Sequence, residues 1–196
     1  MKFRTLLAFL LCALSLSSFA QEKDLRLSIG IPLGKYGKFD HKFAGSDESN
    51  HPSLLIQLEK EWQDNLDIGA YLGYAGQKHE YNFGHSKTTY NYYRFGSVLT
   101  YELNDWLSDM NLSTGYDIDL YASIKVGLSL EHKKFESLSP DASSNPVFSD
   151  RTSNELLVDL GLVLGARYHL SSQFGLFTEI GWANAGFLSL GTTFTL

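Results

Sequence analysis

The last two hydrophobic segments of the chain alternate between apolar residues and small or polar ones. From 188 to 196 every second residue is apolar or threonine, and serine, glycine and threonine fill the positions between them. The segment 174–182 has the same pattern, with Phe177 as the one bulky residue on its small face. A period of two predicts β-strands. Because small residues suit a crowded interior, we expect them to line a narrow closed barrel whose apolar face meets lipid.

The same period recurs along the earlier part of the chain. It predicts eight strands in all, at 25–33, 54–62, 66–74, 90–103, 118–130, 156–168, 174–182 and 188–196. The fourth is the least regular, since Ser97 would face lipid and Val98 the lumen. An even number of antiparallel strands closes with both termini at one end. The predicted fold class is therefore all-β: an eight-stranded antiparallel up-and-down transmembrane β-barrel, preceded by a cleavable signal peptide.

The signal peptide is predicted for residues 1–20. Lys2 and Arg4 precede an apolar run that is too short to span a membrane, and Ser18-Phe19-Ala20 offers small residues for cleavage. Residues 21–196 would then form one barrel domain, without Cys12, the only cysteine. The net charge of −6 becomes still more negative when Lys2 and Arg4 leave, so no nucleic-acid partner is expected.

The connections between the predicted strands differ in length. The segments 34–50, 76–88 and 131–153 are long and polar and are predicted as loops at one end, which also carries a short turn at 184–186. The other end has tight turns at 63–65 and 169–173 and a longer segment, 104–117. Since transmembrane barrels keep their long loops outside, we expect the short turns and the termini to be periplasmic.

Two sets of side chains follow from the alternation. Inward-facing charged residues are predicted to form a lumen charge network that fills the barrel with ion pairs: Arg26, Arg94, Glu102, Asp119, Lys125, Asp159, Arg167 and Glu179. Glu59 and Glu61 are also predicted to point into the lumen. Aromatic residues are predicted to form a girdle at each membrane surface: Trp62, Tyr101, Tyr168 and Phe174 with Phe194 at the periplasmic rim, and Tyr74, Tyr93 and Trp182 at the outer rim. No catalytic, cofactor or metal residue is predicted.

The chain resembles the small eight-stranded outer-membrane barrel proteins, the group of OmpX-like, Ail-like and OmpA-barrel proteins and the outer membrane protein beta-barrel domain families. The resemblance covers nearly all of 21–196 and rests on the strand pattern and on the closing strand with Phe194. It implies an integral protein of the cell outer membrane, in contact with outer-membrane lipid and with the barrel assembly machinery. We expect a non-enzymatic protein whose surface loops support envelope integrity or bind an extracellular protein or glycan.

Three alternatives remain open at this point. The segment Gly181-Trp182-Ala183-Asn184-Ala185-Gly186 is similar to a motif of outer-membrane lipid A deacylases, but glycine and alanine stand where the histidine and the nucleophilic serine should be. A charged lumen is also compatible with a small porin. A soluble lipocalin-like barrel would bury the apolar face instead. In addition, His169 lies beside Ser171 and Ser172, yet the sequence supplies no acid or oxyanion hole for a triad.

Overall fold

The computed structural model describes residues 25–33, 46–81, 86–110, 117–137, 150–183 and 186–196. The predicted signal peptide 1–20 lies outside these residues, as do most of the segment 34–50 and the middle of 131–153. Within the part of the chain that is described, no helix is long and apolar enough to cross a membrane.

The eight strands follow one another around a closed antiparallel ring. They are β1 Leu25–Leu33, β2 Ser46–Gln63, β3 Leu66–Tyr81, β4 Ser86–Glu102, β5 Ile118–Ser137, β6 Arg151–His169, β7 Phe174–Ala183 and β8 Gly186–Thr195, and a short helix, α1 Asn104–Asp109, follows β4. The ring closes where β8 pairs with β1, with Phe194 opposite Leu27. The predicted up-and-down barrel and its closing strand are therefore confirmed.

The two faces of the barrel wall follow the alternation in the sequence. Leucine, isoleucine, valine and aromatic side chains are exposed on the outside, while serine, threonine and charged side chains are buried inside. The irregular fourth strand keeps its register, because Val98 is 1% exposed in the lumen whereas Ser97 faces outward. The structure thus places the apolar face outward, opposite to a lipocalin-like arrangement.

Three bulky aromatic side chains enter the lumen where glycines make room for them. A Cβ built on Gly165 would lie 2.1 Å from the Tyr121 ring, and one on Gly127 would lie 2.6 Å from the Tyr71 hydroxyl. A Cβ built on Gly30 would lie 2.7 Å from the ring of Phe177, the exception on the small face of its strand. The inward aromatic rings therefore occupy the space that the inward glycines leave, and together they fill the interior.

The strands are longer than predicted at one end. The segments 46–50, 76–81, 86–88, 131–137 and 151–153 were expected in loops, but they continue strands β2 to β6. This loop prediction is wrong because both faces of these extensions are polar, so the period of two disappears while backbone pairing continues, as between Tyr81 and Ser86. We call this the loop end of the barrel. The opposite end, with both described chain ends and the tight turns, is the turn end.

Candidate functional site: the filled lumen and the outer wall

A network of ion pairs fills the lumen near the turn end. Arg26 contacts Asp67 at 2.6 Å and Glu102 at 3.2 Å. Arg167, whose side chain is 1% exposed, contacts the same Glu102 oxygen at 2.8 Å and Glu59 at 3.5 Å. Five strands thus contribute one charged side chain each, and every charge in this group has an opposite charge beside it. We call these five residues the lower network.

Polar and aromatic groups extend the lower network toward the middle of the barrel. The Arg167 guanidinium stacks over the Tyr121 ring at 4.0 Å. The Tyr121 hydroxyl donates to Glu179 at 3.2 Å, and Lys125 contacts the other Glu179 oxygen at 3.0 Å. Thr100 donates to Glu59 and also meets Ser123 at 2.8 Å. The arrangement satisfies charges that would be very costly to bury alone.

A second, smaller group lies nearer the loop end. Arg94 contacts Asp159 at 3.6 Å, and the Tyr71 hydroxyl donates to the same carboxylate at 2.9 Å. Between this group and the lower network, Tyr71 packs with Leu55 and Val98, each 1% exposed. These three residues form an apolar cluster on the β2–β4 side of an otherwise polar lumen, and we call it the collar.

Of the predicted network residues, Asp119 has a different environment. It lies at the turn end, where one carboxylate oxygen meets Nε2 of His169 at 2.5 Å and the other accepts from Asn104 at 2.6 Å. The alternation predicted that Asp119 joins the ion pairs of the lumen. Its position on β5 is too close to the rim for a contact with the lower network. In the adjacent turn, the Ser171 hydroxyl accepts the backbone N–H of Phe174.

Glu59, which was predicted to point into the lumen, belongs to the lower network. The same prediction is wrong for Glu61, which is exposed near the turn end, where the pairing of β2 with β3 shifts between Glu61 and Gln63. Asp67 also belongs to the lower network but was not predicted there, although its inward position on β3 follows the alternation. Among the described residues, no three His, Cys, Asp or Glu side chains are grouped so as to hold a metal ion.

The aromatic girdle residues lie near both ends of the apolar belt. Most are well exposed on the outside, and Trp182 is the most exposed, at 84%. Tyr74 packs against Tyr93 with ring centroids 5.4 Å apart, and Phe174 packs against Phe194 at 5.2 Å. Trp62, Tyr101 and Tyr168 are exposed near the turn end. Trp106 of α1, 50% exposed there, was not predicted because it lies outside any alternating segment.

Beyond the outer girdle, strands β2 to β6 continue as a polar sheet that we call the outer wall: residues 46–53, 75–81, 86–92, 131–137 and 151–155. Its inner face carries a stacked pair, Tyr90 and Tyr92, with Lys133 over the Tyr90 ring at 5.2 Å. Its outer face carries alternating charges: Glu136 contacts Lys134 at 2.6 Å and Lys87 at 3.3 Å. The hydrogen bond from Lys134, reinforced by Lys87, lowers the pKa of Glu136 below its usual value.

The barrel is much taller on one side than on the other. Strand β7 ends at Ala183 and β8 begins at Gly186, close to the level of Trp182, whereas β4 continues about seven residues beyond Tyr93, roughly 23 Å of strand. In the described residues, β6 pairs with β7 only from Leu162 to His169. The remainder of β6 therefore pairs on one side only, with β5. Asn184 and Ala185 of the deacylase-like segment lie outside the described residues.

A family model for the outer membrane protein beta-barrel domain matches residues 6–186. The chain belongs to this family. It is accordingly an outer-membrane β-barrel protein, as the strand pattern and the closed ring indicate. A comparison with curated proteins gave no match.

Several solved outer-membrane barrels have a similar fold at low sequence identity. Neisserial surface protein A is 13% identical, with 88% of this chain and 96% of that chain covered and a TM-score of 0.45. Ail of Yersinia pestis, in complex with the heparin analogue sucrose octasulfate, is 10% identical, with 87% and 92% covered and a TM-score of 0.43. The N-terminal barrel of Pseudomonas aeruginosa OprF is 11% identical, with 88% and 97% covered and a TM-score of 0.41.

Proposed function

We propose that this family member is a non-enzymatic outer-membrane scaffold that presents its outer wall to an extracellular protein partner. We further propose that residues 1–20 direct its export, that the turn end faces the periplasm, and that the barrel assembly machinery inserts it. The observation that supports the binding role is the asymmetry of the rim. Strands β2 to β6 rise well beyond the outer girdle, while β7, β8 and the described part of β1 end near it.

The chemistry of the outer wall favours a protein over a polyanionic glycan. Its charges are mixed, since each of the outward-facing residues Lys78, Lys87 and Lys134 lies beside a glutamate, Glu80 or Glu136. A surface of balanced charge lacks the uniform positive potential that attracts polyanions. Aromatic side chains with interleaved charges are common where proteins bind proteins. Among the described residues, the outer part of β6 pairs only with β5, and a strand edge of this kind is where an extended segment can add.

The lumen supports a scaffold rather than a pore. The lower network pairs its charges with one another, and the buried side chains of the collar, Leu55, Tyr71 and Val98, occupy part of the lumen between it and the Arg94–Asp159 pair. A narrow barrel whose interior is filled by side chains leaves little room for water and ions. We therefore propose that the barrel does not conduct, and single-channel recording in a planar bilayer tests this directly. Steady ion conductance by the folded protein would favour the porin alternative.

The binding role is tested by shortening the β3–β4 hairpin. Gln77 and Tyr90 are cross-strand partners, so replacing residues 77–90 with Asn-Gly joins the partners Gly76 and Asn91 through a two-residue turn and leaves the membrane belt unchanged. The matched control replaces only 80–87 and keeps most of the wall. Cells carrying the long deletion should lose adhesion or become sensitive to envelope stress, and the control should lose little.

Two outcomes would reject the proposal. Full adhesion and envelope resistance with the long deletion, in a barrel whose gel mobility still changes on boiling, would mean that the outer wall is not the functional surface. A lipid A acylation pattern that changes when the gene is deleted, and that the intact protein but not an Asn184 variant restores, would favour a deacylase-like enzyme.

A further inference from the structure

The pairing of β1 with β8, which we call the seam, differs in chemistry from the rest of the lumen. The strand β8, Gly186–Thr195, contains no charged residue, so it takes part in no side-chain ion pair. The one charged residue of β1 is Arg26, and it contacts Asp67 of β3 and Glu102 of β4. The ion pairs that join other strands across the lumen therefore do not hold the seam together.

The seam is also short and joins distant parts of the sequence. It pairs Arg26–Leu33 with Leu188–Thr195, whereas β4 pairs with β5 along the whole of Ser86–Glu102. A hydrogen bond from Ser28 to Thr193 crosses the seam between residues that are 165 apart in the sequence. The entropy cost of bringing two residues together rises with their separation, so pairing here costs more than pairing across a tight turn. We therefore expect the strands of the seam to separate before other neighbouring strands do.

Phe177 makes a contact across the seam from inside the barrel. Its cross-strand partner on β8 is Gly191, and the partner of Gly191 on β1 is Gly30, so the three residues form one row. A Cβ built on Gly191 would lie 2.5 Å from Cε1 of the Phe177 ring, and one built on Gly30 would lie 2.7 Å from its Cζ. The ring, which is 5% exposed, thus passes over β8 and ends on β1. Because Phe177 itself belongs to β7, the ring joins three strands.

The same arrangement occurs on the opposite side of the barrel, away from the seam. Tyr71 of β3 pairs with Gly96 of β4, which pairs with Gly127 of β5. A Cβ on Gly96 would lie 2.9 Å from the Tyr71 ring, and one on Gly127 would lie 2.6 Å from its hydroxyl. Both rows consist of an aromatic residue and two glycines, but only the row of Phe177 crosses the seam. The row of Tyr71 is therefore a matched control within the same barrel.

We propose that Phe177 is the latch of the seam: its ring holds β1 against β8, and the barrel opens between these strands when the ring leaves Gly30. The ring contacts both glycines only when β8 is paired with β1, so its docking completes the closure of the barrel. Undocking exposes the apolar surface of the ring, and the docked ring therefore opposes the separation of the strands. The latch acts inside the barrel and is independent of the binding role proposed for the outer wall.

The test compares Phe177→Ala with Tyr71→Ala in the barrel folded in phospholipid vesicles. Hydrogen exchange followed by mass spectrometry gives the protection of each strand. We expect Phe177→Ala to lower the protection of β1 and β8 about tenfold more than that of β4 and β5. Tyr71→Ala should have the opposite pattern, with its larger loss of protection in β3 to β5.

A disulfide across the seam distinguishes a latch from ordinary packing of the interior. Ile29 and Thr192 are cross-strand partners on the lipid face, and the Cα atoms of such partners lie about 4.5–5.5 Å apart, within the range of a disulfide. In a Cys12→Ser background, the oxidised Ile29→Cys/Thr192→Cys pair should restore the protection of β1 and β8 to Phe177→Ala. Reduction should abolish this rescue, and the disulfide should not restore β3 to β5 in Tyr71→Ala.

Folding of each variant is checked by the change in gel mobility on boiling. If Phe177→Ala does not fold, Phe177→Leu, which removes only part of the ring, should show the same pattern to a smaller extent. An equal loss of protection over all eight strands in the Phe177 variants would overturn the proposal. So would a disulfide that forms but does not restore β1 and β8, or an equal loss of protection at the seam in Tyr71→Ala.

Discussion

Replacing Lys125 with methionine should destabilise the folded barrel by about 3–5 kcal/mol. Lys125 and Glu179 are 3.0 Å apart, and their side chains are only 1% and 5% exposed. At an effective dielectric constant of about 20, two unit charges at that distance attract by roughly 5 kcal/mol before the cost of burying them is counted. Removing the ammonium leaves the Glu179 carboxylate buried with the Tyr121 hydroxyl as its hydrogen-bond donor.

Replacing both partners should cost far less than replacing either one. In Lys125→Met/Glu179→Leu no charge of the pair remains, and apolar side chains of similar volume occupy the space, so we expect a change within about 1–2 kcal/mol of the unchanged protein. Reversible denaturant unfolding in phospholipid vesicles, followed by tryptophan fluorescence, gives the free energy of each variant. The double-mutant cycle then isolates the pairwise energy.

The cycle also gives the result that would refute this reasoning. If the two single replacements cost less than about 1 kcal/mol each and their effects add, the ion pair is exposed to water and the lumen is not the filled interior described above. A matched single replacement on the outer wall, Lys134→Met, should change the free energy of unfolding little, because Lys134 is half exposed and its contact with Glu136 is solvated.

Three further predictions concern the lipid face, the interior and the outer wall. Ile124→Arg, which places a charge on the exposed apolar belt of β5, should cost about 2–4 kcal/mol in vesicle unfolding, whereas His132→Arg on the same face beyond the girdle should be tolerated. Gly165→Ala should lower the free energy of unfolding by about 1–3 kcal/mol, because its Cβ would lie 2.1 Å from Tyr121. Gly73→Ala is the control, because its Cβ would lie 3.6 Å from the nearest atom. Equal losses of stability in the two variants would contradict the packing of the Tyr121 ring over Gly165. The pKa of Glu136 is lowered in the folded state. The stabilisation of the outer wall by the ionised Glu136 should therefore be complete above the ordinary carboxyl pKa of about 4.3 and be lost as the pH falls through the lowered pKa. The protection of residues 131–137 against hydrogen exchange, taken relative to the intrinsic exchange rate at each pH, should then decrease at low pH. Glu136→Gln should reduce that dependence, and an unchanged pH profile in the variant would contradict the prediction.

The sequence alone determined which residues share a face of the wall, the number of strands and the strand that closes the ring, and the structure decided that the apolar face lies outward. A transmembrane strand meets lipid on one side and a narrow lumen on the other, so every second residue is selected for one environment. This is why the irregular pair Ser97 and Val98 could be oriented correctly, and why Phe177 stood out as an exception. The reason for this exception is that the Phe177 ring packs over Gly30, and this contact is visible only when the neighbouring strands are in place.

The tertiary structure decided what depends on register between strands. Alternation placed Arg26 and Asp119 equally in the lumen, but the pairing of strands puts Arg26 beside Asp67 and Asp119 beside His169 at the rim. The outer wall was missed because polar residues occupy both of its faces, including the buried inner face with Gln77, His79 and Thr88, so no apolar period of two appears. The local sequence pattern reflects the environment on each side of a strand. Which side chains meet across neighbouring strands is decided only when the strands pair and the ring closes.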